Sequence, residues 1–196
     1  MTSQLTHPER VAVARLHALL ELLPTALDQR LADAGVTSFE HTVLETLAES
    51  PEQRARLSAV ARRTNATLPR LSRVASALER RGLIERAACE LDGRATNAVL
   101  TAQGVETLAR SREAYAAAVR ELILPGLARL PGDGVAQLAD TSYAILTSLD
   151  PTAEAQATPT TNSAPACAAD PTRDARPTED ARPAPGSCAA DPPTAP

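Results

Sequence analysis

Lysine and tryptophan are both absent from this chain of 196 residues, and aromatic residues make up only 2% of it. With one Phe and two Tyr, the core has to be built from Leu, Val and Ala. No apolar run reaches the roughly 18 residues that a membrane-spanning helix needs, so we expect no membrane span. Residues 1–10 also lack the basic and apolar regions of a signal peptide, and we therefore expect a cytoplasmic protein.

Residue patterns that carry catalysis or bind metals are missing as well. The three Cys, at positions 89, 167 and 188, match no metal-ligand spacing and form no dense disulfide framework. The three His have no spacing suited to a metal site. No phosphate loop, dinucleotide fingerprint or nucleophile–base pair is present. The sequence therefore predicts neither an enzyme nor a bound cofactor.

Positive charge is concentrated in one part of the chain. The net charge is −4, yet residues 52–94 contain 10 of the 20 Arg and only 5 acidic residues. The segments on both sides of this stretch are acidic. Because phosphate binding depends on the local field and not on the total charge, this excess is what a nucleic-acid partner requires.

A change in composition separates the C-terminal region from the rest. Residues 151–196 contain ten of the 16 Pro and no Leu, Ile, Val, Met or aromatic residue. Such a segment cannot bury enough apolar surface to offset the entropy of ordering it. We predict a disordered tail over 151–196 and a folded part over residues 1–150.

The folded part begins with two predicted helices. Leu residues recur every three or four positions over 8–33, which predicts a helix that is kinked at Pro24 and ends at Gly35. Thr37 and Glu40 then form a capping box for a second helix, which Ser50 and Pro51 end.

Two shorter helices and a hairpin follow. Residues 57–64 and 68–81 are predicted helices joined by a turn at Asn65 and Ala66, which is a helix-turn-helix. We expect Thr67 to cap the second helix and Gly82 to end it. The buried face of that helix is expected to contain Leu68, Leu71, Ala75 and Leu78.

A wing is predicted directly after the helix-turn-helix. The pair Asp92–Gly93 lies between two extended runs, which is typical of a β-hairpin. Helices over 102–124 and 134–149 complete the fold, with Pro and Gly residues interrupting the chain between them. The predicted fold class is mainly α, a winged helix-turn-helix with a two- to three-stranded β wing.

Three segments resemble the multiple-antibiotic-resistance regulator (MarR) family. Residues 36–47 resemble the helix that leads into the motif, and residues 78–86 resemble the exit of its recognition helix with the first wing strand. Residues 92–104 resemble the wing tip and the start of the next helix. The resemblance covers residues 8–149.

This resemblance implies a homodimer that binds an inverted-repeat operator in double-stranded DNA, often as a repressor, and that responds to a small-molecule effector. It implies an N-terminal dimerisation helix over 1–36, a DNA-binding lobe over 37–101 and C-terminal dimerisation helices over 102–150. The tail has no counterpart in the family pattern.

Candidate DNA contacts come from the two parts of this motif. The N-terminal half of the second helix is expected in the major groove, where Arg70 and Arg73 contact bases. Thr67 and Ser72 are expected to make phosphate or secondary contacts, and Arg62 and Arg63 are expected to contact phosphates. Pro69, beside Arg70, is a further candidate DNA contact. The resemblance aligns Asp92 and Arg94 with the wing pair, so Arg94 is expected in the minor groove, held by Asp92. Arg86 either contacts DNA or braces the wing against the helix.

Each residue that could regulate DNA binding has two interpretations. His17, Phe39, His41 and Tyr115 fall on helices that border the family's effector cavity, and each is either a ligand contact or ordinary packing. Cys89 in the wing strand is either a small buried residue or a redox sensor. The other alternative is a winged helix that binds proteins without operator specificity.

Overall fold

The computed structural model describes residues 4–89 and 92–150, and of residues 88–95 it describes no side chains. Helices dominate, and one antiparallel sheet has the strand order β1-β3-β2. The elements, in chain order, are α1 (His7–Leu31), a 3-10 turn (Ala32–Ala34), α2 (Ser38–Ala48), a 3-10 turn (Pro51–Gln53), β1 (Arg54–Arg56), α3 (Leu57–Arg63), α4 (Leu68–Arg80), β2 (Ile84–Cys89), β3 (Asp92–Leu100), α5 (Ala102–Leu122), α6 (Leu124–Leu127) and α7 (Gly134–Leu149). None of the described helices is long and apolar enough to cross a membrane. The predicted fold class is confirmed, and the predicted tail lies outside the described residues.

α1 confirms the long helix predicted from the Leu spacing. It begins with a capping box between Thr6 and Glu9 and continues through Pro24. Only Leu27 and Leu31 of this helix are buried. Most of its Leu stripe therefore lies outside the core of its own chain.

α2 begins and packs as predicted. Glu40 N–H donates to Thr37 Oγ1 at 3.2 Å, and Glu40 Oε2 accepts from Thr37 N–H at 3.0 Å, so both halves of the capping box are present. Val43, Leu44 and Leu47 are almost completely buried in the main core cluster. Gly35, with φ 74°, reverses the chain just before this helix, in a conformation that glycine adopts without strain.

The helix-turn-helix confirms the predicted order but corrects two details. Leu71, Ala75 and Leu78 are fully buried. Leu68 is 50% exposed, so its predicted burial is wrong: it lies in the first turn of α4, beyond the core. Thr67 occupies the N-cap position but makes no side-chain capping bond, so its predicted capping role is wrong too. Gly82, with φ 69°, follows the end of α4 as predicted.

The sheet contains one strand that the sequence did not indicate. Arg54–Arg56 lies between the predicted helices and pairs with β3, with Arg54 opposite Val99 and Arg56 opposite Asn97. Of these three residues only Ala55 is buried, so β1 has almost no apolar pattern. The predicted hairpin of β2 and β3 is confirmed, with a register shift between Ala88 and Cys89. The predicted place of Asp92 and Gly93 between the strands is wrong, because both residues belong to β3 and Asp92 pairs with Cys89.

The C-terminal helices pack unequally on the core. α5 contacts α1 and α2 and contributes Leu108 to the core cluster. The predicted interruption between these helices is present, because α5 ends at Leu122; a separate short helix, α6, follows it, with Pro125 in the first turn, where Pro is suited. α7 contacts its own chain chiefly through α6, and its apolar side chains are largely exposed.

Candidate nucleic-acid interface

The recognition helix α4 presents exposed arginines on its outer side. Successive residues rotate by about 100° around a helix axis, which places Arg73 nearly opposite the buried Leu71. Arg73 is exposed, and within residues 4–89 and 92–150 its guanidinium makes no ion pair or hydrogen bond. Pro69 and Arg80 are also exposed on this side. The outer face of α4 is therefore cationic and open to an anionic partner.

Arg70 is exposed as well, but its side chain is held differently. Its Cζ lies 4.1 Å from the centroid of the Phe39 ring, in a cation–π contact with the first turn of α2. On the helix, Arg70 is rotated by about 60° from Arg73, toward α2. The two arginines are therefore presented on adjoining parts of the helix surface.

Arg86 makes the bracing contact, one of the two roles expected for it. Its Nη2 donates to Ser76 Oγ at 2.7 Å and to the Ser72 carbonyl at 3.0 Å. Its Nε lies 3.2 Å from Glu79 Oε2. The side chain thus fastens β2, the first wing strand, to α4, and Ser72 contributes its carbonyl to that joint.

Arg62 and Arg63, two neighbouring arginines of α3, also differ in whether their guanidinium groups are engaged within the protein. Arg63 donates to the Thr46 carbonyl and to Ser50 Oγ, each at 3.2 Å, and to Glu49 Oε2 at 2.7 Å. Arg62 is exposed and makes no ion pair or side-chain hydrogen bond within the described part of the chain. The sequence predicts a phosphate contact for both residues. Of the two, only Arg62 has a guanidinium that makes no ion pair or hydrogen bond in the described part of the chain.

The remaining candidates, Asp92, Arg94 and Cys89, belong to the two wing strands. Asp92 begins β3, and the backbone of Arg94 lies in that strand near the turn of the hairpin. The side chains of Cys89, Asp92 and Arg94 lie outside the described residues. Their predicted roles therefore stay predictions.

Two of the four proposed effector contacts come together between α2 and α5. His41 is 6% exposed, and its ring stacks on Tyr115 with centroids 4.7 Å apart. Its Nδ1 lies 2.9 Å from Ser111 Oγ, whose hydroxyl donates to the Leu108 carbonyl at 2.9 Å. Because a hydroxyl has one proton, this arrangement is satisfied when Nδ1 carries the imidazole proton.

Burial lowers the pKa of His41 below its ordinary value, and Arg112 acts in the same direction, while the nearby Glu45 carboxylate opposes the change. Arg112 and Glu45 themselves form a bidentate ion pair at 2.8 and 2.9 Å, which joins α5 to α2. The sequence did not suggest this pair, since its partners are 67 positions apart. His41 is therefore a packed side chain at the junction of α2 and α5, and its burial favours the neutral imidazole.

The other two effector candidates lie elsewhere. Phe39 packs against the core and supports Arg70. His17 is exposed on α1, in the part that extends beyond the buried Leu27 and Leu31. The structure does not bring these two residues to the His41–Tyr115 pair. In the described residues, no His, Cys, Asp and Glu cluster is suited to a metal ion.

Comparisons with known proteins agree with this architecture. A sequence model described as MarR family matches residues 34–95. Sco3205, a MarR family transcriptional regulator from Streptomyces coelicolor solved in complex with DNA, is 30% identical to the chain, with a TM-score of 0.71. That match covers 78% of this chain and 94% of Sco3205. No curated protein matches the chain.

A second regulator from Streptomyces coelicolor also matches most of the chain at 30% identity, and a third structure, at lower identity, shows the fold alone. AbsC from Streptomyces coelicolor is 30% identical, with a TM-score of 0.65, over 79% of this chain and 97% of AbsC. A MarR family regulator from Rhodococcus sp. RHA1 is 20% identical, with a TM-score of 0.59, over 80% of this chain and 99% of its own.

The wing, the helix-turn-helix and the cationic outer face of α4 define a winged-helix transcriptional regulator. The chain belongs to the MarR family. The resemblance found in the sequence is thereby confirmed. Members of this family regulate transcription by binding DNA and are not enzymes.

Proposed function

We propose that this chain forms a homodimer that binds an inverted-repeat operator in double-stranded DNA and represses transcription from it. One observation carries the proposal: Arg73 projects without an ion-pair partner in the described chain from the outer face of α4, opposite a fully buried Leu71. An unpaired guanidinium on a recognition helix is suited to bidentate contact with a guanine edge, which discriminates by ~1–3 kcal/mol.

The remaining DNA contacts follow from this orientation. The N-terminal half of α4, with Thr67 and Pro69 at its start, would enter the major groove. Arg62 on α3 is the phosphate contact that this proposal favours, because Arg63 is engaged with α2. Arg94 at the wing is proposed for the minor groove, with Asp92 holding it.

Exposed apolar surface supports the homodimer. Large side chains on α1 (Val13, Leu16, Leu19, Leu20 and Leu22) and on α7 (Leu138, Tyr143, Ile145, Leu146 and Leu149) are exposed in the single chain. Many exposed large apolar side chains on two helices favour a protein interface, since leaving them in water costs free energy. We therefore propose that residues 1–36 and 102–150 supply the dimer interface, with 37–101 as the DNA-binding lobe.

Symmetry then sets the form of the operator. A closed dimer has a two-fold axis, so its two α4 helices present the same side chains to two half-sites in opposite orientation. Half-sites about one helical turn, or roughly 10 base pairs, apart place both helices in successive major grooves.

The effector response belongs to the same proposal. α2 packs on α5 through His41, Tyr115 and the Arg112–Glu45 pair, and it lies directly before the helix-turn-helix. A small molecule that separates His41 from Tyr115 would shift α2 and, with it, the recognition helix. Its binding would lower operator affinity by favouring the other arrangement.

Selection of bound sequences from random duplex DNA by the full chain tests this function. We expect enrichment of a palindrome, and we expect Arg73→Ala to weaken binding to it by 10-fold or more, the order expected for one bidentate base contact. Arg129→Ala removes the same charge from an exposed position outside the DNA-binding lobe and is the matched control, with its dimerisation verified because residue 129 lies within the range proposed for the dimer interface. Enrichment of no sequence by an intact dimer would instead support the protein-interaction module.

A further inference from the structure

The ring of Phe39 is fixed in place before it meets Arg70. Phe39 is half-buried and packs against the main core cluster. It lies in the first turn of α2, where Asp28 Oδ1 accepts hydrogen bonds from both Ser38 N–H and Ser38 Oγ at 2.6 Å. The capping box of Thr37 and Glu40 fixes the same turn. The ring is therefore a rigid platform beside the recognition helix.

The contact with Arg70 leaves the polar groups of the arginine unused. The guanidinium carbon lies over the ring, 4.1 Å from its centroid, and the ring offers it no oxygen or nitrogen acceptor. The N–H groups of a guanidinium point outward in its own plane and remain available to an acceptor. Within the described residues, the N–H groups of Arg70 donate to no carboxylate or carbonyl.

Other arginines nearby are held in a way that occupies those groups. Arg81 pairs with Glu40 and also donates to the Gly35 carbonyl, and Arg112 forms a bidentate pair with Glu45. A carboxylate in place of Phe39 would fix Arg70 equally well but would consume its donors. An aromatic ring restricts the side chain and keeps it competent to bind DNA.

We propose that Phe39 is a positioning residue for DNA recognition: its ring holds the Arg70 guanidinium without engaging its N–H groups and leaves them to the DNA. This inference rests on the proposed function. An arginine that is already ordered loses less rotamer entropy when it binds. Cation–π contacts at exposed sites are modest, so removal of the ring is expected to weaken operator binding by roughly 2- to 5-fold.

A double-mutant cycle on the selected operator, at fixed salt, tests the proposal. Phe39→Leu, Arg70→Ala and the double variant are titrated with the full chain. We expect Phe39→Leu to weaken binding by roughly 2- to 5-fold alone and by less than about 1.5-fold in the Arg70→Ala background. Phe39→Tyr keeps an aromatic face and is expected to bind like the wild type.

The cycle separates positioning from a general effect on folding. A structural loss caused by Phe39→Leu would weaken both backgrounds equally, and that result would overturn the proposal. The matched control is Arg73→Ala, with which Phe39→Leu should be additive. If Arg73→Ala weakens binding while Phe39 and Arg70 are not coupled, the inference fails and the proposed function stands. If the wild type selects no operator, both fail.

Discussion

Arg86 on β2 and Ser76 on α4 are joined by a hydrogen bond of 2.7 Å from Nη2 of the arginine to the serine hydroxyl oxygen. The same nitrogen donates to the Ser72 carbonyl at 3.0 Å, and the Glu79 carboxylate lies 3.2 Å from Nε. A single half-buried side chain thus ties the wing to three positions of the recognition helix. The wing and the helix are therefore held in a fixed relative orientation.

Replacement of Arg86 by Met is expected to lower the free energy of unfolding by about 1–3 kcal/mol, because the Ser76 and Ser72 groups lose a charged donor. Urea denaturation measures this change. Arg80→Met is the matched control, since Arg80 is exposed on the same helix without an ion-pair partner in the described chain. Equal losses in the two variants would show that Arg86 does not brace the wing.

The stability of the protein is expected to fall as the solution becomes acidic because of His41. Burial holds the pKa of His41 below 6.5 in the folded protein, so the folded state binds a proton less readily than the unfolded chain. The part of the folding stability that depends on an unprotonated His41 is fully present above the pKa of this residue in the unfolded chain. It is lost as the pH falls from that value through the lower pKa of His41 in the folded protein.

Thermal unfolding between about pH 7.5 and pH 5 tests this prediction with His41→Gln, which should flatten the dependence on pH. The same substitution at His17, which is exposed on α1, controls for the removal of an imidazole. An undiminished pH dependence in His41→Gln would contradict the assignment.

Gly104 is expected to tolerate no side chain. A Cβ at this position would collide with the Leu83 carbonyl oxygen and would lie 2.7 Å from Leu100 Cδ1, where α5 begins against the sheet. Gly104→Ala should therefore cost about 1–3 kcal/mol in the free energy of unfolding, as overpacking does. Gly126→Ala, whose Cβ would meet nothing within 4 Å, should cost far less. Similar costs for the two would refute the close approach.

Arg62 and Arg63 are adjacent but should respond differently to truncation. Arg62→Ala is expected to weaken operator binding, to reduce the dependence of log Kd on log salt by about one, and to leave stability within about 0.5 kcal/mol. Arg63→Ala should instead lower stability by about 1–2 kcal/mol through the loss of its bonds to Glu49, Thr46 and Ser50. Salt-dependent titrations and urea denaturation distinguish them, and an unchanged salt slope in Arg62→Ala would remove its phosphate role.

Local sequence rules predicted the backbone of the motif well. Thr37 and Glu40 are three positions apart in a pattern that both creates and reports a helix start, and Gly82 lies where α4 must end. These signals depend only on neighbouring residues, so a single sequence contains them. The same kind of signal, Asp92–Gly93, indicates the hairpin but not its exact turn, since both residues lie at the start of β3.

Features that depend on distant partners could not be predicted in this way. β1 exists because Arg54–Arg56 pairs with β3, more than 40 positions away, and its own residues have no strand pattern. Arg62 and Arg63 have the same side chain, and only the position of the end of α2, with Thr46, Glu49 and Ser50, decides which is engaged. Likewise, a charge pattern cannot show that Arg70 rests on Phe39.

The dissociation constant for the selected palindrome, compared with that for the same duplex with one half-site scrambled, tests the central claim most directly. Each mismatched base pair costs about 1–3 kcal/mol, so a dimer that reads both half-sites should lose at least about 100-fold in affinity at fixed salt. Equal affinity for the two duplexes would contradict the account, because it would mean that the two recognition helices do not read an inverted repeat.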